Sequence, residues 1–168
     1  ELQTAIAWAR AAYKKSPKAE CGALHLCISH RKRRNINAEL QEAFSDCKVA
    51  VQIPANDGEP EYRCVRGTPL VGSCTGRSFV NGTFYEVQSL DGLKVKDNLT
   101  GDVVEATPEL LAKHTCLAHA VVYNRAQGLT VRDQKVVLHD LQSKYFRRSH
   151  LYVGLSRVTR GSDLRIAD

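Results

Sequence analysis

Three apolar runs of strand length constrain the fold of this chain more strongly than any other feature of its sequence. The runs are GALHLCIS at 22–29, CLAHAVVY at 116–123 and KVVLH at 135–139. None of them alternates regularly between apolar and polar residues, and a strand that is apolar on both faces is typical of a parallel sheet covered by helices on both sides. We therefore predict an α/β domain built on a parallel sheet, with each run forming one continuous strand.

Segments with apolar residues at helical spacing lie between and beside these runs. They occur at 1–15, 30–44 and 149–159. We expect the first helix to end before Ser16 and Pro17, because proline cannot continue a helix, and the third to start at Ser149 as its N-cap. Two further apolar stretches, at 49–54 and 162–167, are predicted to be strands.

The middle of the chain is rich in Gly, Asn, Asp and Thr and contains short strand patterns. FYEVQSL and LKVKD are separated by Asp91 and Gly92, a pair typical of hairpin turns, and a second turn is predicted at 98–101. Thr107 and Pro108 open a short helical pattern as N-cap and first residue. Short strands joined by tight turns predict a small β-barrel.

We place this barrel as an insertion at 67–112, which leaves 1–66 and 113–168 as the discontinuous α/β domain. The chain begins with Glu1 and contains no methionine, and we expect it to be a piece of a longer protein.

The charge balance favours a polyanionic partner. The 168-residue chain carries 24 Lys and Arg against 18 Asp and Glu, a net charge of +6. No apolar window approaches the ~18 residues of a membrane span, and we expect no membrane partner. None of the six cysteines has the spacing of a metal site, so we expect no metal ligands here. Without a visible secretory leader, we expect reduced thiols and an intracellular location, in the nucleus or, for a viral or bacterial source, the cytoplasm.

The sequence contains no phosphate-binding loop and no complete active site, but three polar stretches follow or adjoin the apolar runs. The first has four consecutive basic residues at 31–34, which indicates either a solvated basic face or an anion site. The second is the turn at 123–131, which is either an ordinary loop or a phosphate-binding or sugar-binding turn. The third contains Ser156 and Arg157, where the arginine either extends to solvent or binds a phosphate.

Together and in this order, the three stretches resemble the second RecA-like domain of superfamily 1 DNA helicases. The resemblance is to the RecD-like branch that moves 5′ to 3′, which includes the petite-integration-frequency helicases and relatives in large DNA viruses. LYVGLSRVTRGSDLRI resembles motif VI, AHAVVYNRAQGLTV resembles motif V, and LHLCISHRKRRNINAELQ resembles motif IV. VNGTFYEVQSL is similar to the small SH3-like barrel that this branch inserts between motifs IV and V.

The resemblance implies a P-loop NTPase-type fold, ATP with Mg²⁺ between two RecA-like domains, and single-stranded DNA across both, for work in DNA replication or repair. The first domain would supply the Walker lysine, the magnesium ligands and the catalytic glutamate. Arg157 would be the catalytic residue, an arginine finger. The nucleotide-binding residues would be Gln127, Gly128, Arg125, Arg31 and Arg33. The nucleic-acid-binding residues would be Arg34, Asn37, Asn124, Thr130 and Ser156.

The sequence departs from these motifs at several positions. Asn124, Arg125 and Ala126 stand where His-Lys-Ser is usual, Gly154 replaces a common alanine, and His30 stands where asparagine is common. No Walker motif is present, so we expect the isolated chain not to hydrolyse ATP. Two other interpretations stay open: a stand-alone nucleic-acid-binding module with a degenerate helicase fold, and a helicase-derived structural or docking domain.

Overall fold

The structure is a computed structural model that describes residues 1–17, 19–43, 49–56, 58–76 and 78–167. The chain divides into two units, one formed by 1–36 with 119–168 and the other by 37–118. The predicted insertion at 67–112 lies within the second unit, and its boundaries remain a prediction. The predicted end of the second helix at residue 44 and the thiol of Cys47 lie outside the described residues.

A five-stranded parallel sheet forms the first unit, in the order β1-β12-β11-β2-β10. Its strands are β1 Lys14–Lys15, β2 Leu24–Cys27, β10 Ala120–Val122, β11 Val136–Leu138 and β12 Leu164–Ile166. All four strand pairs are parallel, and β2, β10 and β11 are buried along their whole length. The predicted α/β class with a parallel sheet is confirmed.

The first helix is shorter than the sequence predicts. Within the described residues the α-helices are α1 Leu2–Ala12, α2 His30–Glu42, α3 Pro108–His114 and α4 Arg148–Leu155. We expected α1 to continue to residue 15, but Lys14 and Lys15 instead pair with Arg165 and Ile166 of β12. The edge of β12 offers backbone hydrogen bonds that end the helix earlier than the proline would. None of the described helices combines the length and the apolar character needed to cross a bilayer.

The apolar run at 116–123 is not one strand, and this part of the prediction is wrong. It splits into β9 Thr115–Leu117, which pairs antiparallel with the strand Pro69–Gly72, and β10, which pairs parallel with β2. The N–H of Ala118 donates to Pro69 O at 3.0 Å, whereas His119 O accepts from the N–H of His25 at 2.9 Å. Consecutive residues therefore bond to different partners, and the strand breaks between them.

The N-cap predicted at Ser149 is also wrong, because α4 begins at Arg148 and its N-cap lies two residues earlier than predicted. Arg147 is the N-cap, and its backbone N–H donates to Nδ1 of His150 at 3.1 Å. Ser149 lies in the first turn of the helix. At the other end, α4 finishes at Leu155, so Ser156 and Arg157 follow the helix rather than lie on it. In contrast, the N-cap predicted at Thr107 is confirmed, since its side chain accepts from Leu110 N at 3.2 Å.

The second unit is built on antiparallel strands, as predicted. Its five-stranded sheet has the order β8-β7-β6-β5-β9, beside a two-stranded pair of β3 and β4. The strands not yet given are β3 Val51–Ile53, β4 Tyr62–Cys64, β5 Pro69–Gly72, β6 Phe84–Ser89, β7 Lys94–Asp97 and β8 Val103–Glu105. The β6–β7 hairpin is the one predicted around Asp91 and Gly92. Phe79 and Tyr85 pack edge to face in its core, with ring centroids 5.1 Å apart.

Three histidines are buried in the parallel sheet of the first unit: His25 on β2, His119 before β10 and His139 after β11. His25 Nε2 lies 2.9 Å from Glu20 O, and its Nδ1 lies 2.9 Å from His139 Nε2. Because a carbonyl oxygen can only accept, His25 donates to Glu20, and neutral His25 then accepts from His139. Burial is the main cause that lowers the pKa of His119 to about 4 and that of His139 to about 3.

These two histidines should make the first unit sensitive to mild acid. Below about pH 6.5 the unfolded chain binds protons that the folded imidazoles do not, so stability falls as pH decreases toward 4, by about 1.4 kcal/mol per pH unit for each histidine. Urea unfolding between about pH 7 and pH 5, followed by fluorescence of Trp8, the single tryptophan, measures this slope.

Two variants distinguish the contribution of the buried histidines to this slope from that of other titratable groups. His139→Gln keeps an N–H donor toward His25 without a titratable group, and we expect it to reduce the slope by the share of one histidine, about 1.4 kcal/mol per pH unit. His30→Gln, at an exposed position, should leave the slope unchanged. Equal slopes for all three proteins would contradict the assignment.

Candidate nucleotide and nucleic-acid site

The turn after β10 presents several of the predicted site residues to solvent. It begins with a single 3₁₀ turn at Tyr123–Ala126, in which Tyr123 and Ala126 are buried while Asn124 is exposed. The hydroxyl of Tyr123 donates to His139 O at 2.8 Å and so fixes the start of the turn to the end of β11. Gly128 has a φ of 80°, which confirms the sharp bend expected there.

The remaining predicted residues of this turn differ in exposure. Gln127 and Thr130 are exposed, and Arg125 is half-buried. The backbone of the turn is closed by Leu129 N–H, which donates to Ala126 O at 3.2 Å. The exposed amide of Gln127 therefore lies on a turn whose backbone is held at both ends.

Arg157 fastens this turn to the end of α4. Its Nε donates to Val153 O at 3.0 Å, and one terminal nitrogen donates to Ala126 O at 3.0 Å and to Leu129 O at 2.7 Å. The other terminal nitrogen donates to Ser156 Oγ at 2.9 Å. Four of the five N–H groups of a guanidinium are thus used within the chain.

The main chain reinforces the same junction. The N–H of Val131 donates to Arg157 O at 2.7 Å, and Val131 and Val158 form an isolated parallel bridge. Ser156, which is exposed, donates its hydroxyl to Tyr152 O at 2.7 Å. The structure therefore brings Ser156 and Arg157 together with the turn that carries Gln127 and Gly128.

The four basic residues at the start of α2 do not form one basic face. Ser29 directly precedes the helix, and its Oγ accepts from Lys32 N at 3.2 Å. Arg31 is exposed, Arg34 is half-buried and Arg33 is only 2% exposed. Lys32 forms an ion pair with Asp140 at 2.6 Å. Only part of the charge that the sequence places here is accessible to an external anion.

Asp140 is a residue that the sequence analysis missed. It follows β11, has a φ of 67° that is uncommon for a residue other than glycine, and accepts from Ile28 N at 2.9 Å as well as from Lys32. It therefore links the end of β11 to the start of α2. No motif marks it, and the one available signal was its position directly after a buried strand.

Asn37 follows Arg33 and Arg34 on α2 and is the first residue of the second unit. It is 4% exposed, and its side-chain amide donates to Leu117 O at 3.0 Å. The roles predicted for Asn37 and Arg33 stay predictions. Within the ranges that the structure describes, no three His, Cys, Asp or Glu side chains come together in a way that could hold a metal ion.

Gly154 in α4 packs directly against the sheet. A Cβ atom at this position would lie 2.5 Å from Cδ2 and 2.9 Å from Cδ1 of Leu138, which is fully buried on β11. The glycine that replaces the common alanine of motif VI therefore has a local cause, because the side chain of Leu138 occupies the space.

Solved structures share this architecture, although no protein-family model matches the sequence and no curated protein matches it. Bacteroides Pif1 bound to single-stranded DNA superposes with a TM-score of 0.65 at 16% identity, over 98% of this chain and 45% of that chain. Candida albicans Pif1 helicase superposes with a TM-score of 0.61 at 17% identity, over 99% of this chain and 49% of that chain. The chain has the fold of the second RecA-like half of the Pif1 helicases.

A complex of Bacteroides Pif1 with ADP-AlF3 and single-stranded DNA is similar to the same degree, with a TM-score of 0.64 at 16% identity over 98% of this chain. At these identities the likeness concerns the fold. The chain spans less than half the length of each of these three Pif1 chains.

Gly154→Ala should destabilise the first unit by about 1–3 kcal/mol, because the clash with Leu138 outweighs the gain in helix propensity. In a Leu138→Val background the opposing Cδ atoms are absent, and the same change should be neutral or stabilising. Urea unfolding of the four proteins followed by Trp8 fluorescence completes the double-mutant cycle. The same cost in both backgrounds would show that Leu138 is not the cause.

Proposed function

We propose that this chain is the second motor domain of an ATP-dependent DNA helicase. In the longer protein it would face an N-terminal RecA-like domain, with ATP and Mg²⁺ between the two and single-stranded DNA crossing both. The observation that carries this proposal is the junction of Arg157 with the turn bearing Gln127 and Gly128, on a fold shared with Pif1.

Arg157 is our candidate for the arginine finger. A guanidinium binds phosphate oxygens in pairs and stays charged at any relevant pH. The two carbonyls that accept from its terminal nitrogen, Ala126 O and Leu129 O, belong to the turn of motif V type. A two-point contact with a γ-phosphate would use the one guanidinium N–H that has no acceptor among the described residues, and it would require the guanidinium to exchange one of its other acceptors for a second phosphate oxygen.

The chain would supply only half of the ATPase. Cationic and amide groups at Arg125, Gln127 and Arg157 fit the phosphates of a nucleotide, whereas the described residues contain no cluster of metal ligands. The Mg²⁺ ligands, the Walker lysine and the catalytic glutamate would come from the other domain. We therefore expect no ATP hydrolysis by the isolated chain.

The proposed DNA track uses exposed polar groups at one edge of the sheet. The C-terminal ends of parallel strands meet at the same edge, and β2 and β10 are neighbours. Arg31 after β2 and Asn124 after β10 are both exposed there. They are the candidates for contacts with a phosphate backbone, and Thr130 extends the same exposed turn.

A second candidate function is a stand-alone nucleic-acid-binding module that has lost its motor activity. The observation that favours it is the set of hydrogen bonds from Arg157 to backbone carbonyls, because a purely structural arginine makes bonds of this kind. The two functions differ in whether Arg157 affects turnover or only stability.

Arg157→Ala in the longer protein separates these two functions. For a finger, kcat of DNA-stimulated ATP hydrolysis should fall by about 10³-fold or more, while affinity for single-stranded DNA changes little. Thermal unfolding of the variant reports the separate cost of losing the junction with Ala126 and Leu129. If the folded Arg157→Ala protein keeps the wild-type kcat of ATP hydrolysis, Arg157 is not an arginine finger.

Arg31→Ala should weaken binding of single-stranded DNA in a salt-dependent way. The slope of log affinity against log salt concentration should decrease by about 0.7 for each lost phosphate contact. Lys14→Ala removes an exposed charge of the same sign from the edge strand β1 and is the matched control. Identical slopes for the wild type and both variants would exclude Arg31 from the track.

A further inference from the structure

The segment between β11 and α4 alternates between buried anchors and exposed side chains. Leu141 and Phe146 are buried, whereas Lys144, Tyr145 and Arg147 are exposed. Tyr145 is 64% exposed although it is a large aromatic residue. The function proposed above assigns no role to this segment, and an exposed aromatic ring between cations is unusual enough to call for one.

The backbone of this segment is fixed by hydrogen bonds on both sides of Tyr145. The N–H of Ser143 donates to Asp140 O at 2.9 Å, and the N–H of Phe146 donates to Ser143 O at 2.9 Å. The N–H of Tyr145 itself donates to Ser143 Oγ at 3.3 Å. Tyr145 is therefore presented from a closed turn.

Phe146 anchors the turn in an aromatic cluster. Its ring lies edge to face with Tyr123 at a centroid distance of 5.7 Å and tilted against His150 at 5.6 Å. Tyr123 begins the candidate nucleotide turn and His150 lies in α4. Because neighbouring side chains of an extended or turned segment point in different directions, burial of Phe146 directs Tyr145 outward.

The charged side chains beside Tyr145 in the sequence are cations, and Lys144 Nζ lies 5.1 Å from the centroid of the Tyr145 ring. From 141 to 162 the sequence contains no Asp or Glu, and its cations are Lys144, Arg147, Arg148, Arg157 and Arg160. Arg148 is paired with Glu1, and Asp140 at the start of the turn is paired with Lys32, which leaves Lys144 and Arg147 as the cations next to Tyr145. An anionic partner is favoured here over a neutral or cationic one.

We propose that Tyr145, with Lys144 and Arg147, is a stacking platform for single-stranded DNA. Proteins that hold single strands combine cations for the phosphates with an aromatic face for a base, and this segment has both on a fixed turn. The proposal rests on the function proposed above and names a contact surface for its nucleic-acid partner. The turn begins at Asp140, which also bonds Ile28 and Lys32 at the start of α2, so the platform adjoins the proposed track.

The test measures anisotropy of a labelled oligothymidine titrated with the 168-residue chain at low salt. Tyr145→Ala should weaken binding about 5- to 100-fold, whereas Tyr145→Phe keeps the ring and should stay within about 2-fold of the wild type. Leu99→Ala removes an exposed apolar side chain of the second unit and is the control for nonspecific surface effects.

An abasic oligomer of the same length separates stacking from charge. Tyr145→Ala should bind this oligomer as the wild type does, because there is no base to stack. Lys144→Ala and Arg147→Ala should each lower the salt slope by about 0.7 for both oligomers. Circular dichroism of every variant checks that the substitution in the turn leaves the fold intact.

The possible results distinguish the platform from the function on which it rests. If the wild type binds oligothymidine and Tyr145→Ala binds equally well, the platform is overturned and the helicase proposal stands. If the wild type binds no oligonucleotide, the platform is overturned, whereas the helicase proposal is decided by the ATPase of the Arg157→Ala variant of the longer protein. Binding to phosphatidylserine vesicles without oligonucleotide binding would assign the same cations and ring to a lipid surface instead.

Discussion

The guanidinium of Arg157 is the interaction on which the arrangement of the candidate site depends. It joins the last turn of α4 to the turn after β10 through three backbone carbonyls, and the backbone of Arg157 adds a fourth link through Val131. These segments are about thirty residues apart in sequence, since Arg157 and Ala126 are separated by 31 positions. A charged donor is well suited to this task, because bonds from a charged group to carbonyls are roughly twice as strong as neutral ones.

The order of strands in the parallel sheet explains why distant stretches of sequence lie at one edge. The strand β2 lies between β11 and β10, so the segments that follow these three strands are neighbours although they come from both ends of the chain. Asp140 and Tyr123 strengthen this arrangement, because Asp140 bonds to the start of α2 and Tyr123 bonds to the residue after β11. The edge is thus held by side chains as well as by the sheet.

Local sequence patterns predict much of this fold. The elements that they predict wrongly are determined by contacts between residues far apart in the sequence. Continuous apolar runs identified β2 and β11, and a turn pair identified the β6–β7 hairpin. The break after Leu117 could not be predicted, because no polar residue marks it and its cause is the choice of partners such as Pro69 and His25. The end of α1 likewise depends on β12, which lies at the other end of the chain.

The sequence likewise gives only the total charge of a segment. It does not give the part of that charge that stays exposed and unpaired in the fold. The densest basic run, at 31–34, loses part of its accessible charge because Arg33 is buried and Lys32 is paired with Asp140. The cations near Tyr145 are fewer, but Asp140 is paired with Lys32 and Glu1 with Arg148, and neither carboxylate is paired with Lys144 or Arg147. A polyanion responds to the charge that remains exposed and unpaired. The net charge of +6 therefore favours a polyanionic partner. The ion pairs made by individual side chains determine which surface of the protein that partner would contact.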